Sequence, residues 1–201
     1  MKNTFLSSIL AGMLVALGCG INILAPNPLV GALLFSTALL SICYLELDLY
    51  TGKVGFMLTE KRPDFKKLGV ILIGNLLGAA VIGVVMASTR YSTIPQVAQS
   101  MIAKKLTVNG FYAVFGNSVF CGILMYLAVA LYKKGQPLGI LMCVPAFILS
   151  GFEHSIAYVG YAAMASNIAL ASFGYLLIAI IGNSLGAFIP AGIKTIIEQR
   201  S

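Results

Sequence analysis

Apolar residues occupy this chain in six long blocks that are separated by short polar segments. Each block is long enough to cross a hydrocarbon core about 30 Å thick as a helix. The blocks extend over residues 4–25, 30–59, 67–89, 109–132, 138–165 and 168–194. Because little of the chain lies outside them, the pattern predicts one all-α transmembrane domain, residues 1–201, with no soluble domain.

The composition agrees with a membrane location. Hydrophobic residues make up 59% of the 201 residues and charged residues only 9%, whereas soluble domains are about one quarter charged. The first block begins like a signal peptide, with small residues near Cys19, but its apolar run continues to Ala25. A retained first helix is the simpler interpretation. The four cysteines stand apart inside apolar blocks, and we expect them to be packing residues.

The net charge of +7 is unevenly distributed along the chain. With six spans, both termini lie on one side of the membrane. Nine cationic residues fall on that side: Lys2, Lys61, Arg62, Lys66, Lys67, Lys133, Lys134, Lys194 and Arg200. The other side carries only Arg90, Lys104 and Lys105, in the longest loop. This bias predicts a multi-pass plasma-membrane protein with cytoplasmic termini, and it explains the basic charge without a nucleic-acid partner.

A short repeat relates the two halves of the chain. Gly-Asn-Leu-Leu-Gly-Ala-Ala at residues 74–80 recurs as Gly-Asn-Ser-Leu-Gly-Ala-Phe at residues 182–188. Because each half contains three spans, similar halves must have opposite orientations, as in many transporters. We therefore predict two inverted repeats, of about residues 1–100 and 108–201. The spacing of small residues is also compatible with simple helix packing.

Charged residues interrupt the second and fifth blocks. Glu46, Asp48 and Lys53 lie within the second, and Glu153 and His154 lie within the fifth. Both blocks are longer than one crossing requires, and glycines flank the charges, which predicts broken helices that are buried in protein or line a wet cavity. A charge near the membrane centre costs at least about 2.5–3.5 kcal/mol, so these residues are functional candidates. The alternatives are a self-satisfied Glu-His pair and a Glu46 that only caps the broken backbone.

Two other classes of function share parts of this pattern. Gly-Asn-Ser-Leu-Gly at residues 182–186 matches the G-x-S-x-G elbow of serine hydrolases, but an elbow requires a strand, a turn and a helix, and this string lies in an apolar helix. An aquaporin-like channel for neutral solutes would share a six-span fold, yet the only Asn-Pro pair is Asn27-Pro28. The chain has no nucleotide motif and no metal-ligand cluster. We therefore expect no enzyme activity and no cofactor, and transport that is passive or proton-coupled.

The sequence resembles the formate/nitrite transporter family at two strings. Gly-Phe-Glu-His-Ser-Ile-Ala at residues 151–157 is similar to the signature of that family. Asp-Leu-Tyr-Thr-Gly at residues 48–52 is similar to the marker at the break of the family's second helix, commonly Glu-Leu-Phe-Thr followed by Gly or Ser. The two glycine-asparagine repeats also fall in the third and sixth helices of the family.

The resemblance implies an aquaporin-like six-helix protomer, a homopentamer and one pore in each protomer. It implies transport of small monovalent weak-acid anions, such as formate, nitrite, acetate, lactate and hydrosulfide. Thr51 and His154 would face the pore from the two broken helices, between two hydrophobic constrictions. Asn183 would hold the His154 ring, and Asn75, its counterpart in the first repeat, is a further candidate.

Several positions depart from the family pattern. Tyr50 replaces the usual phenylalanine, Asp48 replaces the usual glutamate, and Tyr158 stands where many members have asparagine. The lysine that some members carry at the start of the fifth helix is also missing. Lys53 is a candidate to supply that positive charge, or its side chain extends toward lipid headgroups.

These residues suggest how an anion could pass an apolar constriction. Cationic groups on the inner face would first concentrate the anion, and the candidates are Lys2, Lys53, Lys133 and Lys134. Desolvation raises the proton affinity of an anion inside the pore. We therefore expect the anion to cross as the neutral acid or paired with protonated His154, with Thr51 and Asn183 as hydrogen-bond donors. Glu153 would orient backbone donors or favour the charged form of His154.

Overall fold

A computed structural model describes residues 1–59, 63–108, 110–166 and 170–199. These residues form nine α-helices and one 3-10 helix. The helices are α1 (Lys2–Leu24), α2 (Pro28–Tyr44), α3 (Tyr50–Lys53), the 3-10 helix (Val54–Thr59), α4 (Phe65–Ala87), α5 (Thr93–Val108), α6 (Phe111–Lys133), α7 (Leu138–Leu149), α8 (Ser155–Met164) and α9 (Leu170–Glu198). Three cations used for the topology prediction, Lys61, Arg62 and Arg200, lie outside the described residues.

The protein is an all-α, multi-pass membrane protein. Among the described residues, four helices are long and apolar enough to cross a membrane: α1, α4, α6 and the part of α9 from Ser172 onward. Helices α2, α7 and α8 are apolar but shorter. Large apolar side chains cover the outside, such as Ile73, which is 61% exposed, and Ile197, which is 62% exposed. An apolar outer surface of this extent needs lipid or another protein against it.

The repeated glycine-asparagine strings lie at the two closest helix contacts. The first string, on α4, packs against α1, and the second, on α9, packs against α6. A Cβ atom at Gly78 would overlap the carbonyl oxygen of Ile9, and one at Gly186 would overlap the carbonyl oxygen of Val119. Glycine is therefore required at both positions by the approach of the neighbouring backbone.

The connection between α2 and α3 has the same length as the connection between α7 and α8, five residues. Helix α2 ends at Tyr44 and α3 begins at Tyr50, whereas α7 ends at Leu149 and α8 begins at Ser155. Residues 45–49 and residues 150–154 are called here the first and the second break. The second residue of each break has a positive φ, Glu46 (53°) in the first and Gly151 (70°) in the second. Both helices thus end in the same left-handed cap.

Helix α5 was not expected from the sequence, which predicted a loop at residues 90–108. Ile94, Ala98 and Ile102 are fully buried and recur every four residues. This spacing places them on one face of a helix, which packs against α8. The helix was missed because its polar residues keep it well below the hydropathy of a membrane span.

Candidate functional site

The only histidine of the chain lies at the centre of the fold, where α3 meets the N-terminus of α8. Thr51 Oγ1 lies 2.9 Å from His154 Nε2, and both residues are buried. His154 is the N-cap of α8, because the backbone N–H of Ala157 donates to its Nδ1 at 3.2 Å. Since Nδ1 accepts a hydrogen bond, the proton of the neutral ring lies on Nε2 and is donated to Thr51. The hydroxyl hydrogen of Thr51 is then available for another acceptor.

Aromatic side chains form one wall beside His154. The Phe147 ring stacks on the imidazole with centroids 5.7 Å apart and an interplanar angle of 22°. Phe35 of α2 contacts Phe147 edge to face at 6.2 Å. Phe147 and Phe35 therefore make this wall beside the imidazole apolar.

Two cavities lie at opposite ends of α2. The first, here called the Lys53 pocket, has a volume of about 340 Å³, and its lining includes Tyr44, Glu46, Leu49, Lys53, Tyr132 and Lys133. The second, the His154 pocket, has a volume of about 470 Å³, and its lining includes Asn22, Phe147, Lys105, Glu153, His154 and Tyr158. The first contacts the C-terminal end of α2 and the second its N-terminal end. The cavities therefore face opposite ends of the helix bundle.

An apolar stretch separates the two cavities. Leu39, Leu49 and Val129 close the Lys53 pocket, and Phe35 and Phe147 line the His154 pocket. Phe35 and Leu39 lie one turn apart on α2, so the apolar surface is continuous. Among the described residues, none lines both cavities. A solute that moved between them would have to displace these side chains.

Asn75 of α4 holds the backbone of the first break. Its amide nitrogen donates to the carbonyl oxygens of Ser8 (2.7 Å) and Asp48 (2.8 Å). Its amide oxygen accepts from the Tyr50 N–H at 2.7 Å. Asn75 is fully buried, and both amide hydrogens are used by the backbone. It is therefore a positioning residue rather than a group that faces a solute.

Asn183 of α9 does the same for the second break. Its amide nitrogen donates to the carbonyl oxygens of Ser118 (2.9 Å) and Glu153 (2.7 Å), and its oxygen accepts from the Ser155 N–H at 2.9 Å. The expectation that Asn183 holds the His154 ring was wrong, as was its expected role as a donor in the pore. Asn183 hydrogen-bonds to the backbone on both sides of His154, whereas Thr51 and the backbone N–H of Ala157 hold the ring.

In each break, one carboxylate forms an ion pair with a lysine. Glu153 accepts two hydrogen bonds from Lys105 of α5, at 2.5 and 2.6 Å, and its side chain is 2% exposed. Asp48 pairs with Lys53, whose side chain is 42% exposed. Glu153 is therefore engaged by a lysine, and its carboxylate makes no hydrogen bond to His154 among the described residues.

Lys105 is the functional candidate that the sequence analysis did not single out. It was counted only as a loop charge, although it follows Ile102 by three residues on the buried face of α5. Lys105 thus continues the helical spacing of the buried residues Ile94, Ala98 and Ile102, and this spacing was the signal in the sequence that could have identified it. Lys53, by contrast, lines its pocket as a local partner of Asp48, five residues away.

Comparison with known proteins identifies the family. The model of the formate/nitrite transporter family matches residues 1–196. The chain belongs to the formate/nitrite transporter family. The resemblance carried by the two strings of the breaks is thereby confirmed.

Several known transporters can be aligned with most of the chain. The nitrite transporter NirC of Escherichia coli (strain K12) is 28% identical, and the alignment covers 94% of this chain and 81% of that protein. NirC of Salmonella typhimurium is 27% identical, with 94% and 80% covered. The uncharacterized transporter YrhG of Bacillus subtilis (strain 168) is 27% identical, with 83% and 70% covered.

Two solved structures share the fold. An FNT family ion channel superimposes with a TM-score of 0.80 at 24% identity, covering 98% of this chain and 90% of that one. A pentameric formate channel with formate bound superimposes with a TM-score of 0.78 at 21% identity, covering 98% and 95%. The fold of the chain is that of these channels.

Membership of this family makes the protein a transporter and not an enzyme. The serine of the G-x-S-x-G string agrees with this conclusion. Ser184 lies inside the continuous helix α9, donates to the Ile180 carbonyl at 2.7 Å and lies 2.8 Å from the Tyr50 hydroxyl. The string therefore serves helix packing, and His154 hydrogen-bonds with Thr51 rather than with Ser184.

Proposed function

We propose that each protomer carries small monovalent weak-acid anions, such as formate and nitrite, between the Lys53 pocket and the His154 pocket. The observation that carries this proposal is the buried hydrogen bond between Thr51 and His154, at the narrowing between two cavities that face opposite ends of the bundle. The names of the relatives support the substrate class, since one is a nitrite transporter and another a formate channel.

For the architecture we propose one domain of residues 1–201, built as two inverted repeats of about residues 1–100 and 108–201. The second and fifth spans are broken, with α2 and α3 forming the former and α7 and α8 the latter. The matching hydrogen bonds of Asn75 and Asn183 support this assignment. Five such protomers form a pentamer in the plasma membrane, with the cytoplasm on the side of both termini and of the Lys53 pocket.

The two lysine-carboxylate pairs attract the anion to the mouths of this pathway. After these hydrogen bonds to the carboxylates, Lys105 at the His154 pocket keeps one of its three donors and Lys53 at the Lys53 pocket keeps two. Lys133 adds a second cation at the Lys53 pocket, with Nζ 3.8 Å from the Phe56 ring centroid. Cations at a cleft raise the local concentration of anions.

The apolar stretch between the pockets requires the anion to lose its charge. An unpaired ion cannot be transferred into such surroundings without a large penalty. Because desolvation favours the neutral form of a carboxylic or nitrous acid, an anion that enters from the His154 pocket gains a proton there before it passes Phe35 and Leu39. Thr51, with its free hydroxyl hydrogen, donates a hydrogen bond to the permeating oxygen.

His154 exchanges the proton in this scheme. The resting ring carries its proton on Nε2, so a second proton can only enter at Nδ1, which first releases the Ala157 N–H. The imidazolium then gives its Nε2 proton to the anion, leaving the neutral acid and a neutral ring protonated at Nδ1. The positive end of the α8 dipole disfavours the cation, so this state is short-lived.

Purified protein in liposomes that contain a pH dye tests the proposal. Formate, nitrite, acetate and hydrosulfide are added outside at several pH values, and empty liposomes give the background. We expect anion-dependent proton movement well above the background for at least one of these acids. Permeation of a neutral solute such as glycerol that does not depend on pH, without any weak-acid flux, would contradict the proposal and favour the aquaporin-like alternative.

A further inference from the structure

Glu46 stands in a backbone conformation that favours glycine. Its φ is 53°. Among the described residues other than glycine, the only further one with a positive φ is Ser166. Glu46 follows the last turn of α2, where its N–H donates to the Cys43 carbonyl and the next N–H, of Leu47, donates to the Ile42 carbonyl. The same pair of bonds ends α7 and α6, where the equivalent residues are Gly151 and Gly135. A side chain at this position is sterically unfavourable.

A carboxylate is also electrostatically unfavourable at this place. The C-terminal end of a helix carries partial negative charge, so an acidic side chain just beyond α2 is repelled by the helix carbonyl groups. The cap itself uses only backbone atoms. Among the described residues, the Glu46 side chain forms neither a hydrogen bond nor an ion pair. The capping role considered for Glu46 therefore does not explain why the residue is glutamate.

The Glu46 side chain is exposed in the Lys53 pocket. The groups around it there are Tyr44 and Cys43 of α2, Lys53 with its partner Asp48, and Tyr132 and Lys133 of α6. Without Glu46, these groups would hold two lysines and one carboxylate. Glu46 adds a negative charge to the wall of this pocket.

We infer that Glu46 is a specificity-determining residue, whose carboxylate weakens the binding of substrate anions at the Lys53 pocket relative to the His154 pocket. This inference rests on the proposed function. Lys105 attracts the anion at one end, and the negative charge of Glu46 lowers the attraction of the Lys53 pocket at the other, so that the anion leaves that pocket readily. The steric and electrostatic penalty of Glu46 is then the consequence of a role in the pocket.

Two substitutions separate charge from backbone strain. Glu46→Gln removes the charge and keeps the side chain in the left-handed conformation, whereas Glu46→Gly removes both the charge and the strain. Glu198→Gln is the control, because it removes an exposed carboxylate near the C-terminus that does not line the pocket. The KM for formate is measured from each side of liposomes with oriented protein, at low and high salt.

We expect both Glu46 variants to lower the KM on the Lys53 side about three- to tenfold at low salt, as a unit charge in a water-filled mouth would, and less at high salt. The KM on the other side and the Glu198→Gln control should not change. Glu46→Gly alone should also raise the unfolding temperature. Formate transport with an unchanged Lys53-side KM in Glu46→Gln would overturn the inference and leave the proposed function intact. A wild-type protein that transports no weak acid would overturn both.

Discussion

The two breaks have the same backbone scaffold and different side chains. In each, an asparagine on a neighbouring helix makes three hydrogen bonds, two of them to the residues on either side of one central position. That central position is Leu49 in the first break and His154 in the second. The comparison shows that the asparagines fix the backbone, whereas the chemistry depends on which side chain stands between the two bonds.

The ion pairs of the two breaks also differ. Asp48 pairs with a lysine of its own segment; the Lys53 side chain is 42% exposed, whereas the Asp48 side chain is 12% exposed. Glu153 pairs with Lys105, which lies 48 positions away in the sequence, and this pair is more deeply buried. The first pair can rearrange as solutes enter, whereas the second fixes α5 against the break.

The largest expected effect comes from removing the shared scaffold. Asn75→Leu and Asn183→Leu should each reduce the free energy of unfolding by about 3 kcal/mol or more, because each removes three buried hydrogen bonds to the backbone. Asn27→Ala is a suitable control, since it removes a single exposed N-cap bond to Val30 and should cost about 1 kcal/mol. Denaturation in detergent measures all three. A large loss for only one of the two buried asparagines would contradict the equivalence of the breaks.

The next largest effect distinguishes the contributions of the two ion pairs to the free energy of unfolding. Lys105→Met should destabilise the protein by up to about 3–5 kcal/mol, because it leaves the buried Glu153 carboxylate unpaired. Lys53→Met should cost less, about 1–2 kcal/mol, because 42% of the Lys53 side chain is exposed, although the Asp48 side chain is largely buried. Unfolding midpoints in detergent give both values.

A double variant tests the reason for this difference. Glu153→Gln in the Lys105→Met background removes the unpaired charge and should restore part of the lost stability. If Lys53→Met proved as damaging as Lys105→Met, the assignment of a buried and an exposed pair would be wrong.

The smallest effect concerns the left-handed caps. Gly151→Ala should lower the free energy of unfolding by about 1 kcal/mol, since no neighbouring atom obstructs the new methyl group and only the positive φ is unfavourable. Gly69→Ala, at an unobstructed position inside α4, should instead stabilise the protein by up to about 1 kcal/mol. Equal effects of the same sign would show that the cap of α7 carries no strain.

Much of this could be predicted from the sequence. The ends of α1, α4, α6 and α9 lie within a few residues of the predicted blocks, because uninterrupted apolar runs leave few other interpretations. The strings at the two breaks led to the family, which is confirmed. Thr51 and His154 were named together through that resemblance, and they are in hydrogen-bonding contact.

The remaining features depend on distant contacts. The pairing of Lys105 with Glu153 requires α5 to fold back over α8, and nothing local to either residue indicates it. The role of Asn183 was misjudged because a sequence does not show whether an amide meets a ring or the backbone beside it. The tautomer of His154 follows only from the Ala157 N–H, which is positioned by the start of α8.

The central claim is that proton-coupled passage depends on the side chain of His154, which lies between Glu153 and Ser155, the two neighbours whose backbone groups hydrogen-bond to Asn183. The most direct test compares His154→Asn with Leu49→Ala in liposomes containing a pH dye. Asparagine is a good N-cap, so His154→Asn keeps the start of α8 while it removes the titratable ring. We predict that it abolishes proton movement driven by formate or nitrite, whereas Leu49→Ala retains it. Proton-coupled flux with an unchanged pH profile in His154→Asn would contradict the account.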